Sequence, residues 1–362
     1  MKTRVHITID TECREQRVTA DGQFLPAAGY DSRVWGRFGG NGAGLGIPLI
    51  MDTLERHGLR GVFFVDPFGA HSFGKSGLQE VCGHILARGH DVQLHAHPRQ
   101  RVADWKTRGV EPLPDRMWEY TRDEQRDLLR EGVELLVEAG VPRADVVAFR
   151  AGHFAANDDT LAAMADVGLR ISSNYNPCYR ERECRLSPPD RPRALYRAGS
   201  GVWELPISNI RNGGGFRHLQ ITALSLDEIT RYLDLAQQAG VSDVVIVTHS
   251  FEQFYLESVD PPRGRINAIN ASRLNGVAAW LAERGDRFHV SVMPELARTL
   301  ARDDAARSGA SAEFIPELPP ALRWRRQFEQ LLKRADGSLP VRRWIYFSRS
   351  RIPHSWRASF RR

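Results

Sequence analysis

Cysteine is scarce, with four residues in 362: Cys13, Cys82, Cys178 and Cys184. None forms a Cys-x-x-Cys pair, which argues against a cysteine-based zinc module or a disulfide scaffold, so free thiols are expected. Cys178 and Cys184 share the polar loop CYRERECR, where a bridge or a metal site is the alternative. No run of 18 apolar residues occurs, so no transmembrane helix is expected. The N-terminal MKTRVHITID enters a strand-like pattern at once, without the apolar stretch and cleavage site of a secretory signal. A cytoplasmic location is the expectation. No repeat of solenoid period is evident.

What remains is an ordinary globular composition, 42% hydrophobic and 26% charged, long enough for one large barrel or two smaller domains. The net charge of +6 is unevenly spread. Residues 323–362 hold twelve Lys/Arg against two acids, a net of +10 that leaves −4 for the rest. Trp324, Trp344, Tyr346, Phe347, Trp356 and Phe360 are interspersed among those cations. Residues 321–362 therefore have two readings. One is a peripheral anchor on an anionic membrane surface. The other is a tail whose arginine stems and aromatics pack on the domain or stay partly disordered. No nucleic-acid-binding module accompanies the basic residues, so nucleic acid is not an expected partner.

Strand-like and helix-like runs alternate through most of the chain. RVHITID (4–10), GVFFVD (61–66), DVQLH (91–95), DVVAFR (145–150), RISSN (170–174), GVWELPIS (201–208), DVVIVTH (243–249) and FHVSVM (288–293) read as strands. Amphipathic runs such as RDEQRDLLREGVELLVEAG separate most of them. Nearly continuous Val, Ile and Phe in alternation with helices implies a parallel sheet buried on both faces. Seven or eight such units suit a closed (β/α) barrel better than an open sheet. The barrel is expected over 1–300, a linker over 301–320 and the basic aromatic tail over 321–362.

Polar residues fall at the strand ends: Asp10, Asp66, His95, Arg150 and His249. In a parallel barrel those ends converge on one mouth, where active sites are built. His95 and His97 are two apart and project to one side of an extended backbone, and Asp10 and Glu12 repeat that spacing. Two imidazoles facing a carboxylate form a donor set for one divalent ion, with zinc expected and other divalent metals open.

In that order, the motifs resemble the polysaccharide deacetylases of the NodB homology type, carbohydrate esterase family 4. TIDTE stands at the first motif, GHDVQLHAH at the second, FRAGHFAAN at the third, WELPIS at the fourth and VIVTHSFE at the last, so the resemblance spans roughly residues 4–293. It implies a distorted, seven-stranded (β/α) barrel and metal-dependent removal of an N-acetyl group from an amino sugar. It further implies Asp10 as general base, His95 as the first metal-binding histidine, Arg150 as the partner of the base and His249 as general acid. The pattern departs from the family at two places. Thr11 occupies the position of the second aspartate, leaving Glu12 as the substitute ligand. Arg99, a permanent cation, occupies that of the second histidine, leaving His97 as the replacement.

The residues permit the chemistry on their own terms. An ion held by Glu12, His95 and His97 would activate water, and Asp10 would accept the proton as the water attacks an amide carbonyl. Arg150 would keep Asp10 ionised, and His249 would protonate the departing amine. Asp10 and Glu12 could exchange roles. Asp66, His153, Glu204 and Trp35 are further candidates for substrate contact, each with a structural alternative: capping the PFG turn for Asp66, packing beneath the loop for His153, a structural role for Glu204 and ordinary burial for Trp35. Asn209 beside the fourth motif, the loop RNGGGFRH (211–218) with Arg211, Arg217 and His218, and Trp105 and Trp118 are weighed in the same way. A saccharide or glycoconjugate is the expected substrate. An O-acetyl esterase or non-sugar amidase on the same barrel, and a non-catalytic saccharide-binding barrel, are the alternatives.

Overall fold

The computed structural model describes residues 2–18, 24–38, 44–101, 113–187, 195–302 and 314–335. Seven parallel strands form the main sheet: β1 (Thr3–Thr11), β2 (Val62–Val65), β3 (Asp91–Ala96), β4 (Ala148–Ala151), β5 (Ile171–Ser172), β6 (Trp203–Glu204) and β7 (Asp243–His249). Their spatial order is β7-β1-β2-β3-β4-β5-β6, with the short strand Tyr196–Arg197 antiparallel at the β6 edge. β8 (Phe288–Val290) pairs with the first residues of β1. The sheet curls into the expected distorted (β/α) barrel. Its seam lies between β6 and β7, where single hydrogen bonds replace a ladder. Leu219 N–H donates to Ser208 O at 2.7 Å, and Val247 N–H donates to Leu219 O at 2.8 Å.

Alternation along β1 explains the two larger apolar clusters. Val5, Ile7 and Ile9 point outward to a cluster with Ile50, Leu54, Val81 and Leu136 of α1 (Ile47–Arg56), α2 (Lys75–Ala87) and α3 (Arg122–Glu138). Burying each such side chain contributes about 1.5–3 kcal/mol. The inner cluster holds Val62, Phe64, Val245 and Val247, and it is closed by Met293, Leu296, Ala297 and Leu300 of the helix Met293–Arg302. His6, Thr8 and Asp10, on the inward face of β1, reach polar partners inside the barrel. His6 Nε2 lies 3.1 Å from Asp243, Thr8 lies beside Arg150, and Asp10 pairs with the same arginine.

Three expected strands are shorter than their apolar patterns, because side chains take over the ladder bonds. Gln93 Oε1 accepts the N–H of Val147 and of Ala148, so β4 starts at Ala148 rather than 145. Asn174 Oδ1 accepts Ala151 N–H, and Glu204 Oε1 accepts the N–H of Asn174 and of Tyr175. Those bonds end β5 and β6 early. The glycine-rich 211–218 loop is a hairpin of Asn209–Asn212 with Gly215–His218, turning at Gly213, whose φ of 64° suits glycine. The last helix, Pro320–Ala335, occupies the first part of the expected tail. It docks through charge: Glu329 pairs with Arg273, and Arg326 with Glu228. Trp324, Phe328 and Leu331 remain exposed. Residues 336–362, like the linker residues 303–313 and Trp105, lie outside the described residues. No helix among the described residues is long and apolar enough to cross a membrane.

Candidate active site and metal centre

Strand register assembles the site. The β1–β7 pairing sets Asp10 level with His249, and the β3–β4 pairing sets His95 level with Arg150. Arg150 is fully buried. Its Nη1 donates to Asp10 Oδ1 at 2.6 Å and to Thr8 Oγ1 at 2.9 Å, and its Nη2 donates to Ser173 Oγ at 3.0 Å. Burial alone would raise the Asp10 pKa. Arg150, with His95 and His249, overcomes it and holds the carboxyl below its ordinary value.

Asp10 Oδ2 lies 3.9 Å from His249 Nε2. The other ring nitrogen, Nδ1, sits 2.7 Å from Glu252 Oε1, and Glu252 also accepts from Thr248 Oγ1 at 2.9 Å and from Gln220 Nε2. Burial pushes the His249 pKa down, but Glu252 and then Asp10 raise it to about 9. At that value the ring carries its second proton at neutral pH.

Glu12 faces both histidines. Its Oε2 lies 2.7 Å from His97 Nε2 and 3.3 Å from His95 Nε2, while Oε1 accepts from Arg33 Nη2 at 3.1 Å. The other ring nitrogens are also engaged: His95 Nδ1 lies 2.7 Å from Arg150 O, and His97 Nδ1 lies 3.0 Å from Asp115 Oδ2. An acceptor at each Nδ1 puts the proton there, so in neutral rings both Nε2 lone pairs would point at a carboxylate. That contact is repulsive unless a cation lies between them or the rings are protonated. For His97, burial favours the neutral form, yet Glu12 and Asp115 together hold its pKa well above the ordinary histidine value. Donor atoms from Glu12, His95 and His97 all lie within 4.8 Å of one another. Two imidazole nitrogens and a carboxylate oxygen converging in this way fit one divalent ion of the zinc class.

The remaining sequence-predicted residues are distributed unevenly. Asp66 is buried and caps the Pro67–Gly69 turn through Phe68 N–H at 3.0 Å; burial pushes it to about 7, and its Oδ2 has no hydrogen-bond partner among the described residues. His153 stands at the mouth with Nε2 3.3 Å from Asp115. Glu204 contradicts the expectation of substrate contact, because it is fully buried and spends Oε1 on two backbone N–H groups. Trp35 contradicts it too. It is 2% exposed and packs edge-on to His84, with no face open for a sugar to stack on. Asn209 is buried against Asn176, and Trp118 is held by Glu183 O and Arg185. His218 bonds Gln220, at 2.6 Å, behind His249, while Arg211 and Arg217 lie on the hairpin. Arg99 turns away to Leu113 O.

Four residues absent from the sequence reading complete the site: Arg33, Asp115, Gln220 and Glu252. Glu252 follows His249 by three residues in THSFE, the one local signal available. Asp115 lies 18 residues beyond His97 and Arg33 lies 21 beyond Glu12, and no periodicity links them.

No protein-family model and no curated protein matches the chain. Solved structures do. A protein assigned as a polysaccharide deacetylase from Mycobacterium smegmatis superposes with a TM-score of 0.46 at 19% identity, covering 75% of this chain and 80% of the other. A family 4 carbohydrate esterase from Streptomyces lividans gives 0.41 at 12%, covering 87% and 98%. The Bc1960 peptidoglycan N-acetylglucosamine deacetylase gives 0.41 at 15%, covering 81% and 87%. At that level of identity and superposition the likeness says nothing of chemistry, which rests on the side chains themselves. These three solved structures are thus described as two deacetylases and a carbohydrate esterase, at low identity.

Proposed function

We propose that this chain is a metal-dependent hydrolase that removes an N-acetyl group from an amino sugar in a polysaccharide or glycoconjugate. The observation that carries the reading is the meeting of an acid–base pair, Asp10 and His249, with the donor set Glu12, His95 and His97 at one end of one barrel. The order of the sequence motifs supplies the substrate class.

Glu12, His95 and His97 would hold the divalent ion, with zinc the first candidate. Such an ion polarises an acyl carbonyl and lowers the pKa of water. Asp10 accepts the proton of the attacking water on Oδ2, the oxygen that Arg150 leaves free. Arg150 keeps the carboxylate ionised and aimed. As the water oxygen bonds to the acyl carbon and the carbon–nitrogen bond breaks, His249 Nε2 gives its proton to the departing nitrogen. Glu252 holds the ring by Nδ1 throughout. The products are acetate and a free amine.

A protonated His249 favours the amide over the O-acetyl ester, since an amine leaves poorly until protonated. Saccharide binding alone needs no matched base and acid. The test is acetate and amine release from N-acetylated chitin oligomers and peptidoglycan fragments, with O-acetylated xylan in parallel. Acetate with equimolar amine is expected, and Asp10→Asn or His249→Ala should each slow it by about 10²–10⁴-fold. Acetate from the xylan alone would move the reading to an esterase. Release from none of them by metal-loaded protein would move it to binding.

A further inference from the structure

Strand geometry does not fix the His97 ring. β3 ends at Ala96, and the turn Pro98–Arg101 follows at once. The ring is held instead from another segment. Asp115 Oδ2 lies 3.0 Å from His97 Nδ1 and 3.3 Å from His153 Nε2, while Oδ1 accepts Arg99 N–H at 3.3 Å. The Asp115 side chain is 6% exposed.

Its segment is anchored at several points. The N–H groups of Asp115 and Arg116 both donate to Glu119 Oε2, at 3.1 and 2.8 Å. Met117, fully buried, donates its N–H to Ala155 O at 3.0 Å, and Arg116 pairs with Glu183 at 2.5 Å. These bonds fix the position of the carboxylate.

We infer that Asp115 is a positioning residue. It keeps the His97 proton on Nδ1 and leaves Nε2, 2.7 Å from Glu12 Oε2, as the electron pair offered to a divalent cation. The inference rests on the metal-dependent reading above. A carboxylate behind a metal-binding histidine commonly fixes its tautomer and ring plane. Here it has a further task, because His97 stands outside regular structure and only two residues from His95. The orientation that a strand or helix would give comes from a carboxylate 18 residues away. His153 shares Oδ2 but is half exposed, so its contribution is the smaller.

The test is calorimetric titration of the metal-free full chain with Zn²⁺, alongside long-range ¹⁵N NMR of the His97 ring in the zinc-loaded protein. Asp115→Ala should weaken zinc binding by about 10–100-fold. Asp115→Asn, which keeps an acceptor oxygen, should weaken it less, and His153→Ala least. The wild-type ring should carry hydrogen on Nδ1 and zinc on Nε2. Thermal melting of the metal-free forms isolates a structural role, which would lower the melting temperature yet leave zinc affinity at the wild-type value. Wild-type affinity in both Asp115 variants, or coordination through Nδ1, overturns the inference. If the alanine variant fails to fold, the asparagine variant and the NMR decide. A wild type that binds no divalent ion overturns the metal reading and this inference with it. Zinc binding that is unmoved in the Asp115 variants overturns this inference alone.

Discussion

The imidazole of His249 lies between two carboxylates: Asp10, 3.9 Å from Nε2, and Glu252, 2.7 Å from Nδ1. Because the His249 pKa is raised to about 9, the ring is protonated below that pH and loses its proton as pH rises through it. The ring's second proton, and the stability of the charged pair, are therefore present at neutral pH and lost on the alkaline side. Glu252→Gln removes the leading opposite charge. The alkaline limb of the kcat/KM profile should move from near 9 to lower pH by about one unit or more. An unmoved limb would assign it to another group. Asp10, His95, Arg150 and His249 were legible because each ends an apolar strand pattern, where a polar residue is conspicuous. Glu252, Asp115 and Arg33 come from loops and turns, and their contacts depend on how distant segments meet. Trp35 has the same origin: a loop-like sequence folds into the turn Tyr30–Trp35 and buries the indole, the alternative to sugar stacking.

At the scale of elements, the turn after β4 is shaped around His97. A Cβ on Gly152 would stand 2.4 Å from His97 Cε1 and 2.5 Å from Nδ1. The next two residues, His153 and Phe154, both have φ near 58°, a left-handed conformation that costs about 1–3 kcal/mol per non-glycine residue. The ring cannot yield freely, being held by Glu12 on one side and Asp115 on the other. Gly152→Ala should therefore displace His97 and lower zinc affinity by about 10–100-fold. The barrel should still fold, as near-wild-type far-ultraviolet circular dichroism would show. Wild-type zinc affinity in that variant would mean that the ring is not a ligand. The FRAGHF motif marks this turn in the sequence, but the need for glycine follows from the approach of His97, which only the fold reveals.

For the molecule as a whole, alternating apolar strands and amphipathic helices were enough to read a parallel barrel, because burial on both faces leaves a compositional trace. The seam was not readable: between β6 and β7 the barrel is joined through Ser208, Leu219 and Val247 by bonds that follow no pattern. Nor was the docking of helix Pro320–Ala335, which turns Arg326 and Glu329 inward and leaves Trp324 and Phe328 exposed, against the usual sense of amphipathicity. What the barrel does bring together, from the ends of β1, β3, β4 and β7, is Asp10 and Glu12, His95 and His97, Arg150, and His249. The central claim is that Glu12, His95 and His97 bind a divalent ion. Elemental analysis of the purified chain, beside a His95→Ala/His97→Ala variant, tests it most directly. About one equivalent of metal in the wild type and its loss in the variant is the predicted result; a metal-free wild type that no divalent ion reconstitutes would contradict it.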